Sequence, residues 1–579
     1  MLCRFSSIHG KPNQARALFE SFHMPDPELI IVNGALISFD AATAGATALA
    51  ITGGTISHVG NDDAIRGVAG PETRVIDAAG GTVLPGFIDS HVHLFGGSVE
   101  LSCLDLQGVR GPDALKSAIA PYAAANPDDA LVFAVQADYA ILHDDKTPTR
   151  QELDIACPDR PFAMFAPDHH TVWANTAALD LAGILHGGET DAGSVIVMGE
   201  NGKATGELRE FSAFGPILKL TRHAGRDLAG LVGGTDPVPA PTLEERAKDK
   251  AVLAKGIAHC AAQGITGLHC MDGNFYQLEL LSEMEAEGTL NCRVSVPFHL
   301  KSHDPLSRLS EAAEMAETYK GDMVSSGYVK MFIDGVIEGR TALMLQPYPG
   351  TDDNYGDPVF EADHFNQACT AIDAMGLQIV VHAIGDGGIR RTLDGLEQAR
   401  NINGARDSRH RIEHLECMHP DDIPRIAALG AVASIQPGHA PFGGIFSPEG
   451  VRNFIHDHQI AGSYPWQQIR ATGAPVIFST DWPVIGVEVM TNIKAAIAPL
   501  DMGPEWTDQT QTLMDTLFSY TAGNAWVEFN EDRKGKLAPG MMADVVVMSH
   551  DLTTLAPERI TDATARYTIC DGRITFQAA

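Results

Sequence analysis

His91 and His93 stand one residue apart in the run Pro85-Gly86-Phe87-Ile88-Asp89-Ser90-His91-Val92-His93. In extended backbone, residues two apart face the same side, so both imidazoles point one way. Two neutral imidazoles so placed can hold one divalent metal ion. Three more residues fall just after apolar, strand-like runs: His382 in Val381-His382-Ala383, His414 in Ile412-Glu413-His414, and Asp481 in Ser479-Thr480-Asp481. Singly, each reads equally well as a satisfied core or loop residue. At successive strand ends they offer nitrogen and carboxylate ligands suited to zinc or another borderline divalent ion.

Such residues need a scaffold that brings distant strand ends together. Strand-like runs recur at Ile265–His269, Tyr328–Phe332, Gln378–Val381, His410–Ile412, Ala431–Ile435 and Pro475–Phe478, with helical stretches between them at Leu306–Tyr319, Ile389–Arg400 and Asp421–Leu429. Thr242 and Glu245 form a capping box ahead of Ala247, Ala251, Ala254 and Ala258 on one helical face, and Gly264 stops that helix. Repeated β/α units favour a parallel sheet, and polar residues after the strands place the chemistry at its C-terminal face. The expected fold is therefore α/β, a (β/α)₈ TIM-like barrel. A Rossmann-like open sheet is the alternative, but the glycine-rich run Gly385–Gly388 lacks an acidic ribose partner.

The two ends read differently. Leu29–Ile37, Thr47–Thr52 and Thr55–Val59 near the start, and Asp544–Met548, Tyr567–Cys570 and Arg573–Phe576 near the end, are short strand signals punctuated by Gly53–Gly54 and Asp571–Gly572. They predict an accessory β domain built from both ends. The expected division is an N-terminal extension (1–28), accessory β domain in two parts (29–82 and 528–579), and a barrel (83–527) enlarged by insertions beyond about 250 residues. Val232–Pro241 reads as a surface connection, and Gln436–Tyr464 as an insertion able to cover the barrel mouth.

Composition narrows the function classes. The formal net charge of −33 argues against a nucleic-acid partner. No window is apolar enough to span a bilayer, so no membrane partner is expected. Nine scattered cysteines without thiolate-site spacing point to a reducing, cytoplasmic setting. A homo-oligomer stays open.

The set His91-x-His93, Lys330, His382, His414 and Asp481 resembles the metal-dependent amidohydrolase superfamily, in its amidohydrolase-3, YtcJ-like branch. Supporting pieces are Asp168–Asn175, Gly206–Glu210, Val329-Lys330 with Asp334-Gly335, His382–Asp386, His410–His414, Gln436–His439 and Asp481–Val484, in order over nearly the whole chain. The resemblance implies that His91 and His93 bind one metal, that His382 and His414 help bind a second, and that Lys330 bridges them as a carboxylated lysine. The other reading of Lys330 is a charged lysine paired with Asp334 or a substrate carboxylate. One ion or two, most simply Zn²⁺, fits the pattern. Asp481 takes the proton-transfer role as well as a metal position.

Pocket candidates from the same resemblance are His170, Trp173, Asn175, Glu207, Arg209 and His439, with Trp173 also reading as buried packing and His439 as a loop cap. His269 and Asp272 follow another strand and join them. Two departures stand out: His169 replaces a glycine common in the branch, and Ser479–Thr480 replaces Gly-Ser before Asp481. The expected activity is metal-dependent hydrolysis of a carbon–nitrogen bond in a small amide, N-acyl or N-formyl compound. Alternatives are a phosphoesterase or carboxyl-ester hydrolase on the same barrel, and a non-catalytic small-molecule binding barrel.

Overall fold

A computed structural model describes residues 26–143, 146–167, 169–191, 194–446 and 451–579. Most of the expected N-terminal extension (residues 1–25), Asp168 of the Asp168–Asn175 motif, and residues 447–450 of the Gln436–Tyr464 insertion lie outside the described residues.

Parallel strands carry the candidate ligands, and they form two sheets. One runs in the order Val324–Ser325, Arg293–Ser295, Ile265–Cys270, Phe87–Val92. The other runs Phe298–His299, Tyr328–Phe332, Gln378–Ala383, Arg411–His414, Val432–Ile435, Val476–Phe478. The chain passes from the first to the second through Val296 and Pro297, and on the far side Val92 bridges Trp482 in parallel. These strands are short and nearly every residue in them is buried, as expected of parallel strands covered by helices, though Arg411–His414 is mostly polar.

The helix Leu243–Ala262 shows how local sequence sets these units. Thr242 caps it with a reciprocal Glu245 bond, and Gly264, at φ +86°, supplies the left-handed turn into the Ile265–Cys270 strand. Gly256 lets it press on the short helix Leu94–Glu100, since a Cβ there would meet Ser98 Oγ at 1.8 Å. That contact matters because the Leu94–Glu100 helix begins at His93.

Both chain ends enter one five-stranded sheet, ordered Ala35–Leu36, Thr82–Pro85, Val545–Met548, Ala565–Cys570, Arg573–Gln577. A four-stranded sheet (Thr55–Gly60, Ala48–Thr52, Leu29–Val32, Arg74–Asp77) shares an apolar core with it through Leu49, Ile51, Val545 and Ile569. A feature the sequence reading did not resolve is a six-stranded mixed sheet within residues 104–209, containing Phe162–Phe165, Thr171–Ala174 and Ala204–Arg209. Among the described residues, no helix is long and apolar enough to cross a membrane.

Candidate metal centre and active site

Asp481 is the point on which the site converges. It follows the Val476–Phe478 strand at φ +64°, a left-handed conformation uncommon for a residue with a side chain but one that aspartate adopts more readily than most. Its amide donates to the His91 carbonyl, which ties two strand ends together. Its Oδ1 lies 3.3 Å from His91 Nε2 and 3.4 Å from His93 Nε2. Its Oδ2 lies 3.9 Å from His414 Nδ1 and 3.8 Å from His439 Nε2. Two ligand-bearing groups therefore share one carboxylate: His91, His93 and Asp481, and His414, His439 and Asp481, each within 4.8 Å.

Each of three histidines has an oxygen partner behind it. His91 Nδ1 donates to Glu413 Oε2 at 2.7 Å, His93 Nδ1 to Asp272 Oδ1 at 2.9 Å, and His414 Nδ1 to Gln436 Oε1 at 2.9 Å. For His91 and His93 such bonds fix the tautomer and leave the Nε2 that faces Asp481 as the free electron pair, the arrangement seen behind metal-ligating histidines, whereas His414 turns the same Nδ1 to Gln436 and to Asp481. Glu413 is itself held by Arg411 Nε at 2.8 Å. Gln436 passes on to Ser479 Oγ, and Thr480 bonds Asp89 through both its amide and its hydroxyl. The Ser479–Thr480 pair thus anchors the loop that aims Asp481.

Burial pushes His91, His382 and His414 well below the usual imidazole pKa, keeping them neutral. For Asp481, burial works upward, but the hydrogen bond and field of His93, with the field of His439, outweigh it and hold the carboxyl well below its ordinary range. His382 lies outside both groups: its Nε2 bonds the Gly335 carbonyl at 3.2 Å, and its ring sits 4.4 Å from that of His414. Lys330 is fully buried, and among the described residues its Nζ has no hydrogen-bond partner. Burial brings this ammonium down to about 8. The pairing of Lys330 with Asp334 does not occur, because Asp334 accepts from the amides of Leu343, Ile384 and Gly385.

A cavity of about 280 Å³ opens over Asp481, lined by His170, His439 and apolar groups such as Phe211, Phe332, Phe446 and Val484. The Gln436–Tyr464 segment borders it through His439, Phe446 and Tyr464. Of the pocket candidates, His170 and His439 line this cavity, and Asp272 stands behind His93. The rest are placed elsewhere. Trp173 is fully buried, with its indole donating to Thr147 Oγ1. Asn175 is a helix cap whose amide serves Cys157, Arg160, Phe162 and Ala178. Glu207 takes the Arg209 guanidinium at 2.6 Å, and that arginine side chain is exposed.

His269 lines a separate cavity of about 220 Å³ with Arg293, Tyr328, Gln378 and Arg411, the first residues of their strands. It therefore faces the end opposite Asp481. Sequence reasoning left Glu413 and Gln436 without roles. Glu413 and Gln436 lay inside quoted motifs, and their signal was a hydrogen-bonding residue beside or following a ligand histidine.

A profile of the amidohydrolase family matches residues 74–576. The chain belongs to the amidohydrolase family. As a member, this amidohydrolase is a hydrolase acting on carbon–nitrogen bonds. It is 26% identical to the YtcJ protein of Bacillus subtilis over 92% of this chain and 96% of that one. It is 25% identical to the N-substituted formamide deformylase of Arthrobacter pascens, over 95% and 98% of the two chains. Its fold is similar to that of a metal-dependent hydrolase of Pyrococcus horikoshii, with TM-score 0.71 and 22% identity over 91% of this chain and 99% of that one.

Proposed function

We propose that this amidohydrolase cleaves the carbon–nitrogen bond of a small N-formyl or N-acyl amide, with Asp481 moving the proton. The observation that carries the reading is the convergence of His91, His93, His414 and His439 on the two oxygens of one buried carboxylate. The resemblance to a formamide deformylase supports the substrate class.

The donor set fits a divalent ion of the zinc type, since neutral imidazoles and a carboxylate are what such an ion selects. His91, His93, His414 and Asp481 would hold it, with His382 close by. The buried Lys330 Nζ, without a hydrogen-bond partner among the described residues and 4.6 Å from the Phe332 ring, supports a ligand role, because a buried ammonium is costly and a carboxylated lysine would be an anionic ligand instead. Bridging would take a second ion, for which His382 and His414 are the candidates. A bound ion supplies polarisation of the carbonyl and acidifies water from 15.7 to about 7.

The chain's own groups do the rest. Asp481 accepts the proton of the attacking water and delivers it to the amide nitrogen as the carbon–nitrogen bond breaks. Phe211, Phe332 and Phe446 offer apolar surface for the nitrogen substituent, and His170 lies on the cavity wall for orientation. We also infer that the two parallel sheets are arcs of one (β/α)₈ barrel, supported by the Val92–Trp482 bridge, with the end sheets as its accessory β domain. Among the described residues no lysine or arginine lines the cavity, so nothing there favours a phosphoester.

The test uses zinc-loaded protein with N-benzylformamide, N-acetylbenzylamine and 4-nitrophenyl phosphate. Amine release that requires the metal, and a drop of about 10²–10⁴-fold in kcat/KM for Asp481→Asn with fold and histidine-held metal retained, is expected. Near-wild-type turnover by Asp481→Asn would reject its catalytic role. Phosphate release without amine release, or a loaded centre inert towards all three, would overturn the reaction class.

A further inference from the structure

Behind the catalytic cavity lies a larger chamber of about 420 Å³. The two share a wall. His169 faces the catalytic cavity, Glu100 faces the chamber, and His169 Nε2 bonds Glu100 Oε1 at 2.6 Å. Phe165, which also lines the chamber, packs its ring 4.8 Å from that of His169. His169 is held at φ +62°, a conformation that a glycine adopts freely and a residue with a side chain only uncommonly. The strain is tolerated where this ring and its carboxylate partner separate two spaces.

The chamber's inner wall carries Asp227. Its residue is 8% exposed, and among the described residues its Oδ1 has no hydrogen-bond partner. A buried carboxylate oxygen left unsatisfied forfeits its hydration with no return. The basic residues nearby do not meet it: Arg222 is engaged by Asp129, His223 by Asp249, and Lys248 by Glu244. Arg222, Lys248 and Lys255 are solvent-exposed. The rest of the lining is largely apolar, with Leu131, Phe133, Leu218 and Val252. Burial raises Asp227 to about 6, against the opposing field of His223.

We propose that this chamber is a second ligand site that takes a small organic ammonium, its charge on Asp227 and its apolar body against Leu131, Phe133 and Leu218. Such a ligand has a cationic head to pair with the Asp227 carboxylate and an apolar body to lie on the apolar lining. The carbon–nitrogen hydrolysis proposed above releases an amine of this class, and the proposal rests on that reading only for the source of the ligand. Binding itself needs no turnover.

Benzylammonium chloride is the probe, titrated calorimetrically into the full-length, zinc-loaded protein. Saturable binding is expected in wild type. Asp227→Asn should weaken it about tenfold or more, the loss of one charge-assisted hydrogen bond. Neutral benzyl alcohol should bind wild type more weakly by a similar factor. Ala251→Trp, which fills the chamber from an exposed helix position, should abolish the binding without touching a buried group. Circular dichroism and turnover of N-benzylformamide accompany each variant. Absence of saturable binding, or the same affinity in both variants as in wild type, overturns the proposal; the latter would place the amine in the catalytic cavity. An enzyme inert towards amides that still binds benzylammonium through Asp227 would remove the proposed reaction and leave this site standing.

Discussion

His414 ends its strand at φ +76°, and that one dihedral explains how neighbours Glu413 and His414 serve the same centre. In a regular strand adjacent side chains face opposite ways. Here Glu413 keeps the strand's alternation with Arg411 and meets His91, while the left-handed turn brings His414 back towards Asp481. The partners behind the histidines make a prediction. Asp272→Ala removes the acceptor of His93 Nδ1 and should weaken zinc binding about 10–100-fold, with the fold retained. Competition with a chelating dye measures it. Wild-type affinity in that variant would remove Asp272 from the support of the site.

Helix packing sets where His93 points. Because the Leu94–Glu100 helix starts at His93 and lies against Gly256, the spacing of two helices is transmitted to a ligand candidate. Gly256→Ala should force the helices apart, costing about 1–3 kcal/mol of stability and lowering zinc affinity together. Ser98 supplies the clashing atoms, so adding Ser98→Gly should recover part of both losses. Thermal unfolding and zinc titration of the single and double variants give the answer. If Gly256→Ala alone matches wild type in both, the close approach is not what positions His93.

Across the whole molecule, the sheet that joins the chain ends is locked to the parallel strands by a buried ion pair. Arg293 opens one parallel strand, and Asp544 precedes the Val545–Met548 strand; they meet at 2.7 Å with both side chains almost fully enclosed. Asp544 also accepts from the Asp571 amide, so the pair pins two connections at once. Asp544→Ala would leave the buried Arg293 guanidinium with only the 3.3 Å contact to Asp571 and the Asp322 carbonyl, and should lower stability by about 2–4 kcal/mol. The expected sign is an earlier first unfolding transition in denaturant, with activity of the folded fraction little changed. An unshifted transition would show that the ends are held by strand pairing alone.

What the sequence determined by itself follows from short-range geometry. Alternation along a strand put His91 and His93 on one side, capping chemistry placed the Leu243–Ala262 helix, and turn residues marked the strands at both ends. The order of motifs pointed to the amidohydrolase family, which the match over residues 74–576 shows. Tertiary structure alone decided which polar residue faces which space. His269 and Asp272 flank the end of one strand, yet His269 turns to the opposite cavity while Asp272 backs His93. Trp173 and Asn175 read as pocket residues by motif, but serve packing and a cap. The pairing of His169 with Glu100, and the unmatched carboxylate of Asp227 behind it, were equally silent in the sequence. Periodicity acts through neighbouring φ and ψ angles, whereas ion pairs and cavities depend on residues brought together from distant parts of the chain, and a single chain carries no local mark of those meetings.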